Sequence, residues 1–317
     1  RHPLHARMSL PRRVRVTARA KLNLGLAVGP RRPDGFHELV TVFQSVSLAD
    51  TLVAERRPRG FRLVVRHEAA ADRGALPART RAAVPSGSGN LALRAARLAV
   101  RRAGVSGGAR LTLTKRIPAQ AGLGGGSADA AAALVAVLAL YGVRVPLARR
   151  LAWGAELGSD VPFALLGGTA LGTGRGERLR PIRPGPAFRA VVAVPRWRVP
   201  TVRAFRALDR YGLTRPNAKL RFAKVAGRRA LEPCDVIRMG NSFEEVLGSR
   251  SPDFAGLCSR MREAGLLEPH MTGSGSAVFG LLGRRARARV VVDRFAGNEA
   301  LYVVRSARRG LDIDRLG

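Results

Sequence analysis

Cysteine is nearly absent: Cys234 and Cys258 are the only two in 317 residues. Two thiols that far apart cannot build a disulfide framework or a zinc site of paired-cysteine spacing. They read as reduced thiols, and the expected location is cytoplasmic. Long apolar runs are missing too. No stretch approaches the roughly 20 residues that cross a bilayer, so no membrane partner is expected. The first residues, Arg1 to Arg15, are basic but lack an apolar segment, which argues against a secretory signal. They read as an untidy extension, with Met8 a candidate true start. Lysine is scarce, limited to Lys21, Lys115, Lys219 and Lys224, and acidic residues are few, 22 against 56 basic ones. The formal net charge of +34 is therefore almost wholly arginine. Such charge raises the question of nucleic acid. The arginines run along the whole chain instead of gathering in one arm, and aromatics, at 5%, are not interleaved with them. No helix-turn-helix, zinc-finger or RNA-binding signature is present. Non-specific attraction at low salt is expected from charge alone; specific nucleic-acid binding is not.

What is abundant is glycine, and it is concentrated where it matters. Pro118 to Ala130 reads P-A-Q-A-G-L-G-G-G-S-A-D-A, with Gly122, Gly124, Gly125 and Gly126 inside five residues. Leu111–Ile117 before it alternates like a half-buried strand, and an Ala-rich apolar run follows from Ala130 to Leu140. The order is strand, glycine loop, helix, with Ser127 in the position of an N-cap. Glycines let backbone N–H groups crowd round an anion, and a helix start adds unpaired N–H groups and a positive dipole end. That combination is a phosphate cradle. It is neither a Walker A loop, since G-x-x-x-x-G-K-[ST] occurs nowhere, nor a G-x-G-x-x-G fingerprint, since Ser127 takes the sixth place.

Along the rest of the chain, Val14–Val28 predicts one or two strands, Leu39–Leu48 another, and Thr51–Val65 two more. Residues 67–89 read as a loop. Asn90 opens an amphipathic helix over 91–102, and Leu147–Leu157 is a second helix. Gly167–Gly176 is a strand and turn, and Pro181–Pro186 is the best linker. Strand 190–194 and helix 201–208 follow, then helices near 241–248, 252–265 and 284–295. Strands flank a glycine turn, Gly273-Ser274-Gly275, and a last strand covers 301–305. Strands and helices mix without strict alternation and without repeats, which indicates α+β.

Three other stretches complement the loop. Lys21 and Asn23 sit in an apolar strand, Asp160 follows a helix end in G-S-D-V-P-F, and Thr272–Ser276 is a second small glycine turn. Alone, each has a plain reading: a snorkelling lysine, a turn aspartate, a tight turn. Together A-K-L-N-L-G-L, R-R-P-D-G-F-H-E-L, G-N-L-A-L-R-A-A, A-G-L-G-G-G-S-A-D-A-A, L-G-S-D-V-P-F and T-G-S-G, spread from Arg19 to Phe279, resemble the GHMP small-molecule kinase superfamily. The D-G-F-H-E-L stretch makes the likeness closest to the branch whose acceptor is a cytidine-diphosphate-linked methylerythritol, in the non-mevalonate isoprenoid route.

The resemblance implies a two-lobed α+β kinase. An ATP lobe of ribosomal-protein-S5-like architecture would cover residues 1–180, and a smaller α/β lobe 181–317. It implies Asp160 as base on the acceptor hydroxyl, with Lys21 as its partner. It implies ATP held by Asn90, Lys115, Pro118, Gly122, Leu123, Gly124, Gly125, Gly126 and Ser127. The acceptor would meet Asn23, Phe36, His37, Thr201, Phe205, Gly273 and Ser274, with His37 on the cytosine edge and Phe36 and Phe205 at its faces. Magnesium would accompany ATP, through ligands the sequence leaves open. A monomer or homodimer is expected. Asp129, a turn into the helix, suits the dipole and needs no further role. Gln120, Ala128 and Ser276 depart from the family's usual residues, and Ala128 would remove a hydroxyl from the phosphate site. The competing readings are another GHMP kinase with a different alcohol, and a non-catalytic basic protein on a kinase fold.

Overall fold

A computed structural model of the chain describes residues 10–68, 71–74, 84–197, 200–212, 214, 222, 227, 231–248 and 252–316. Met8, Lys219, Lys224 and part of the expected 67–89 loop lie outside them.

β1 (Arg13–Arg31) and β2 (His37–Arg57) form a long antiparallel pair. The first half of β1 alternates as its sequence predicts, with Val14, Val16, Ala18 and Ala20 buried and Arg13 and Arg15 exposed. From Ala20 to Gly29 every residue is buried, because a second layer covers that end. Gly25 marks the closest approach: a Cβ there would lie 2.8 Å from the carbonyl oxygen of Val236. β2 runs unbroken through Ala49 and Asp50, where two separate strands were expected. β3 (Phe61–His67) pairs parallel with β4 (Gly108–Lys115), which pairs antiparallel with β2. β5 (Thr169–Gly174) adds to β2, and β6 (Arg178–Pro181) to β5.

Helices cover this sheet. α1 (Leu91–Ala103) begins where the Asn90 side chain accepts from the backbone N–H of Ala92 at 2.8 Å and ends at Gly104, whose φ of 64° suits glycine. α2 (Gly125–Leu140) is apolar on all sides from Ala130 onward and almost wholly buried, packed against α1, β1 and β2. A helix without a polar face must be interior, and each of its leucines contributes about 1.5–3 kcal/mol by leaving water. Its N-cap is Gly124, in the left-handed region, with no side-chain cap. Ser127 is therefore inside the first turn, not the cap the sequence suggested: the glycine loop coils into the helix three residues early. α3 (Leu147–Leu157) and α4 (Val161–Leu166) complete the layer.

After the connection at 182–188 the chain builds a second, antiparallel sheet from β7 (Arg189–Val194), β8 (Leu266–Met271), β9 (Val278–Leu282) and β10 (Ala300–Arg305), in the order β10-β7-β9-β8. Among the described residues α5 (Thr201–Arg210), α6 (Pro233–Ile237), α7 (Ser242–Gly248), α8 (Pro252–Glu263) and α9 (Ala288–Arg294) accompany it. β11 (Leu311–Leu316), unforeseen in the sequence, then pairs antiparallel with β1. The last strand thus belongs to the first sheet.

Candidate active site

β1 carries the site's cation. Lys21 is buried, its backbone N–H donating to the carbonyl of Leu123 in the glycine loop at 3.0 Å. Its ammonium donates to Asn23 Oδ1 and stands 3.6 Å from Asp160 Oδ2. Asn23 sits two residues on, hence on the same face of the strand. Its Nδ2 donates to Thr41 Oγ1 at 2.8 Å, and Thr41 donates to the carbonyl of Gly25 at 2.7 Å. Asp160 occupies the N-cap position of α4 yet makes no capping hydrogen bond, which leaves its carboxylate to Lys21 and to the cleft.

Three distant motifs meet around this pair through Thr272. The backbone N–H of Asn23 donates to Thr272 Oγ1 at 3.0 Å, and Thr272 donates to the carbonyl of Gly122 at 3.2 Å. Gly122 (φ 82°) has no room for a side chain: a Cβ would fall 2.2 Å from the carbonyl oxygen of Thr272. Asn241 holds the second glycine turn from behind, donating to the carbonyls of Met271 and Gly273, each at 2.9 Å. Asn241 also stands three residues before Glu244, a helix-start signal legible in the sequence.

These residues open on a cleft of about 600 Å³. Lys21, Asn23, Thr41 and Phe43 line its floor, Gln120, Gly122, Gly124 and Ser127 one side, and Ser159 and Asp160 another. The acceptor-side residues Phe36, His37, Thr201, Phe205, Gly273 and Ser274 border the same space. The Phe205 ring is stacked on His37, centroids 5.0 Å apart and planes at 26°, and meets Phe243 edge-on. His37 Nε2 is 2.6 Å from Asp209 Oδ1. Phe36 is half-exposed, with the Arg175 guanidinium 5.0 Å over its ring. Thr201 and Ser274 share a hydroxyl–hydroxyl bond of 2.9 Å. Arg175 and Asp209 had no sequence signal beyond a Gly-Arg-Gly turn and a spacing of four from Phe205.

Several sequence-predicted ATP residues do not border this cleft. Lys115 is closed off: its ammonium bonds Asp50, and lies 2.7 Å from Asp129 Oδ2. It ties Asp50 to Asp129 beneath the loop, and a Cβ on Gly125 would come within 3.3 Å of its Nζ. Asp129, given no role beyond the dipole, is its buried partner. One ammonium cannot neutralise two carboxylates. Asp50 also accepts from the backbone N–H groups of Arg116 at 2.6 Å and Ile117 at 2.8 Å, whereas Asp129 Oδ1 has no partner among the described residues. Burial, with Asp50 as a like charge, therefore holds the Asp129 carboxyl well above the usual carboxylate range despite Lys115. For Lys115, burial lowers the pKa, but Asp129 and Asp50 outweigh it and the net shift is upward. Asn90 is spent as the α1 cap, with Nδ2 donating to the carbonyl of Pro85. Pro118 and Leu123 are buried under the loop, and Gly126 is exposed at its outer side. Ala128 is 1% exposed, packed in the core and not open to the cleft. Gln120, at φ 57°, does face the cleft. Burial pushes the Cys258 thiol up to about 11, keeping it inert.

The GHMP kinases N terminal domain matches residues 90–168 and the GHMP kinases C terminal domain residues 227–299. The 4-diphosphocytidyl-2-C-methyl-D-erythritol kinase of Solibacter usitatus is 40% identical over 86% of this chain and 83% of that protein. The protein of the same name from Salinispora arenicola is 40% identical over 95% and 92%. A crystal structure of 4-(cytidine 5'-diphospho)-2C-methyl-D-erythritol kinase superimposes with a TM-score of 0.73 at 39% identity, covering 92% of this chain and 98% of that one. Homoserine kinase from Cytophaga hutchinsonii reaches 0.72 at 19% identity over 98% and 99%, a likeness of fold alone.

Proposed function

The chain belongs to the 4-diphosphocytidyl-2-C-methyl-D-erythritol kinases, a branch of the GHMP kinases, and on that premise we propose how it works. It transfers the γ-phosphoryl group of ATP to the 2-hydroxyl of 4-diphosphocytidyl-2-C-methyl-D-erythritol, giving the 2-phosphate and ADP, in the non-mevalonate route to isoprenoid precursors. The observation that carries the mechanism is the Lys21–Asp160 pair, on one cleft bordered by both the glycine loop and His37.

Phosphoryl transfer asks the protein for position and charge more than for covalent help. Asp160 takes the proton of the acceptor hydroxyl as the new O–P bond forms. Lys21, held by Asn23, sets its ammonium beside Asp160 and offsets the charge on the transferring phosphoryl group. Backbone N–H groups of the glycine loop and the uncapped start of α2 receive the ATP phosphates. Arg175 supplies the cation for the acceptor's diphosphate bridge. His37, Phe36 and Phe205 offer one polar edge and two aromatic faces, which suits a pyrimidine base. Among the described residues no group of three His, Cys, Asp or Glu side chains is placed to hold a metal ion, and magnesium needs none when phosphate oxygens supply most of its shell. Asp160 and the Ser127 hydroxyl are hard oxygen donors at the cleft that fit such an ion. When bound it neutralises phosphate charge.

The test is ADP release, coupled to NADH oxidation, with the cytidylyl acceptor, homoserine and mevalonate offered separately. Turnover confined to the cytidylyl acceptor is the expected result. Turnover of homoserine or mevalonate without it would refute the assignment.

A further inference from the structure

We propose that Asp209 is a positioning residue that makes the cleft accept a 4-amino pyrimidine, cytosine, and reject a 4-oxo pyrimidine, uracil, by fixing which nitrogen of His37 carries the proton. This rests on the reading above, in which the acceptor's base meets His37.

Asp209 lies four residues after Phe205 on α5, so both project from one helix face. That face holds the imidazole twice over. Phe205 stacks on the ring at 5.0 Å, and Asp209 Oδ1 meets its edge at 2.6 Å from Nε2. The His37 side chain is only 6% exposed, so the ring has little freedom to turn, while Asp209 is 39% exposed. Among the described residues Asp209 is the ring's one hydrogen-bond partner. An ionised carboxylate only accepts. The Nε2 atom must therefore be the donor, and in the neutral ring Nδ1 is left as an acceptor. An acceptor pairs with the amino group at C4 of cytosine. Against uracil it faces a carbonyl oxygen, two lone pairs with no proton between them, and a site built for one partner discriminates strongly against its polar opposite. Aromatic stacking cannot make this distinction, because both bases offer a similar π-face.

The experiment compares the cytidine-linked acceptor with its uridine-linked counterpart. Binding is measured by calorimetry with a saturating non-hydrolysable ATP analogue, and turnover by ADP release. Wild type should prefer the cytidine compound. In Asp209→Asn the amide can donate to Nε2 and move the ring proton to Nδ1. The preference should then fall about tenfold or more, with the uridine compound gaining while the cytidine compound loses. Because Lys21 and Asp160 are untouched, kcat at saturating acceptor should hold and the change should appear in KM. Asp209→Ala, which removes the constraint without reversing it, should fall between. A cytidine-to-uridine ratio unchanged in both variants, or equal weakening of both acceptors, would overturn the proposal. A wild type that turns over the cytidine compound but binds both bases equally overturns it as well and leaves the kinase assignment standing. One that binds neither compound overturns both.

Discussion

Lys21 and Asn23 break the apolar run of β1 on the same side of the strand, yet alone Lys21 reads as a snorkelling residue and takes a role only from the family resemblance. Asp160 was readable only by analogy, since a loop aspartate after a helix end is ordinarily a cap. The structure gives the physical distinction: its carboxylate caps nothing and faces an ammonium 3.6 Å away. Asp160→Asn keeps the shape and removes the base. It should lower kcat by about 10²–10⁴ while leaving both KM values within a few fold, read by the ADP-release assay with a melting curve as the folding control. An undiminished kcat would remove Asp160 from the proton-transfer step. Lys115 shows the opposite case. A lysine at a strand end beside a phosphate loop invites a ligand role, yet its partners Asp50 and Asp129 come from β2 and α2. No local pattern announces that a side chain is occupied.

At the scale of elements, that buried group ties three of them together beneath the loop: β2 through Asp50, β4 through Lys115, α2 through Asp129. Lys115→Met should destabilise the fold by about 3–5 kcal/mol, because it leaves two buried carboxylates without their counter-charge; urea unfolding measures it. Asp129 adds a pH signature. Its folded pKa lies above the unfolded value of 3.8. Its contribution is therefore fully present below that value and is lost as pH rises through the raised folded pKa. The stability of wild type relative to Asp129→Asn should accordingly decline as pH climbs from about 4. A difference that is flat or grows with pH would mean Asp129 is ionised without penalty. Helix and strand positions were largely legible here because their periodicity is local: α1, α3 and α5 fall within two residues of their sequence-derived bounds. The start of α2 was missed because backbone conformation at Gly124, not a serine side chain, sets it.

Across the whole molecule, two sheets share the cleft, and the chain's end is fastened to its beginning. β11 covers the edge of β1, and Arg19 reaches Asp312 at 2.5 Å. Deleting residues 311–317 exposes an unpaired strand edge next to the site. The shortened protein should melt at a lower temperature and aggregate more readily, measured by scanning calorimetry and light scattering; an unchanged melting temperature would make β11 dispensable. The arginine excess has no counterpart in the cleft, where Lys21 and Arg175 are the lining cations among the described residues. Nothing in the site calls for it.

Sequence alone determined the parts: an apolar helical run from Ala130 to Leu140 that has to be interior, a glycine loop able to wrap phosphate, a strand with a lysine and an asparagine on one face. Those are consequences of local sterics, periodicity and backbone hydrogen bonding, which act over a few residues. Tertiary structure alone decided the company each part keeps. It set Asp160 against Lys21, closed Lys115 between two carboxylates, and brought Asp209 to a histidine 172 residues away. Packing the second layer onto the first creates those contacts, and packing depends on the whole chain at once. In the proposed mechanism the glycine loop holds the phosphate donor by its own geometry, and the acceptor is chosen where β2 and α5 meet.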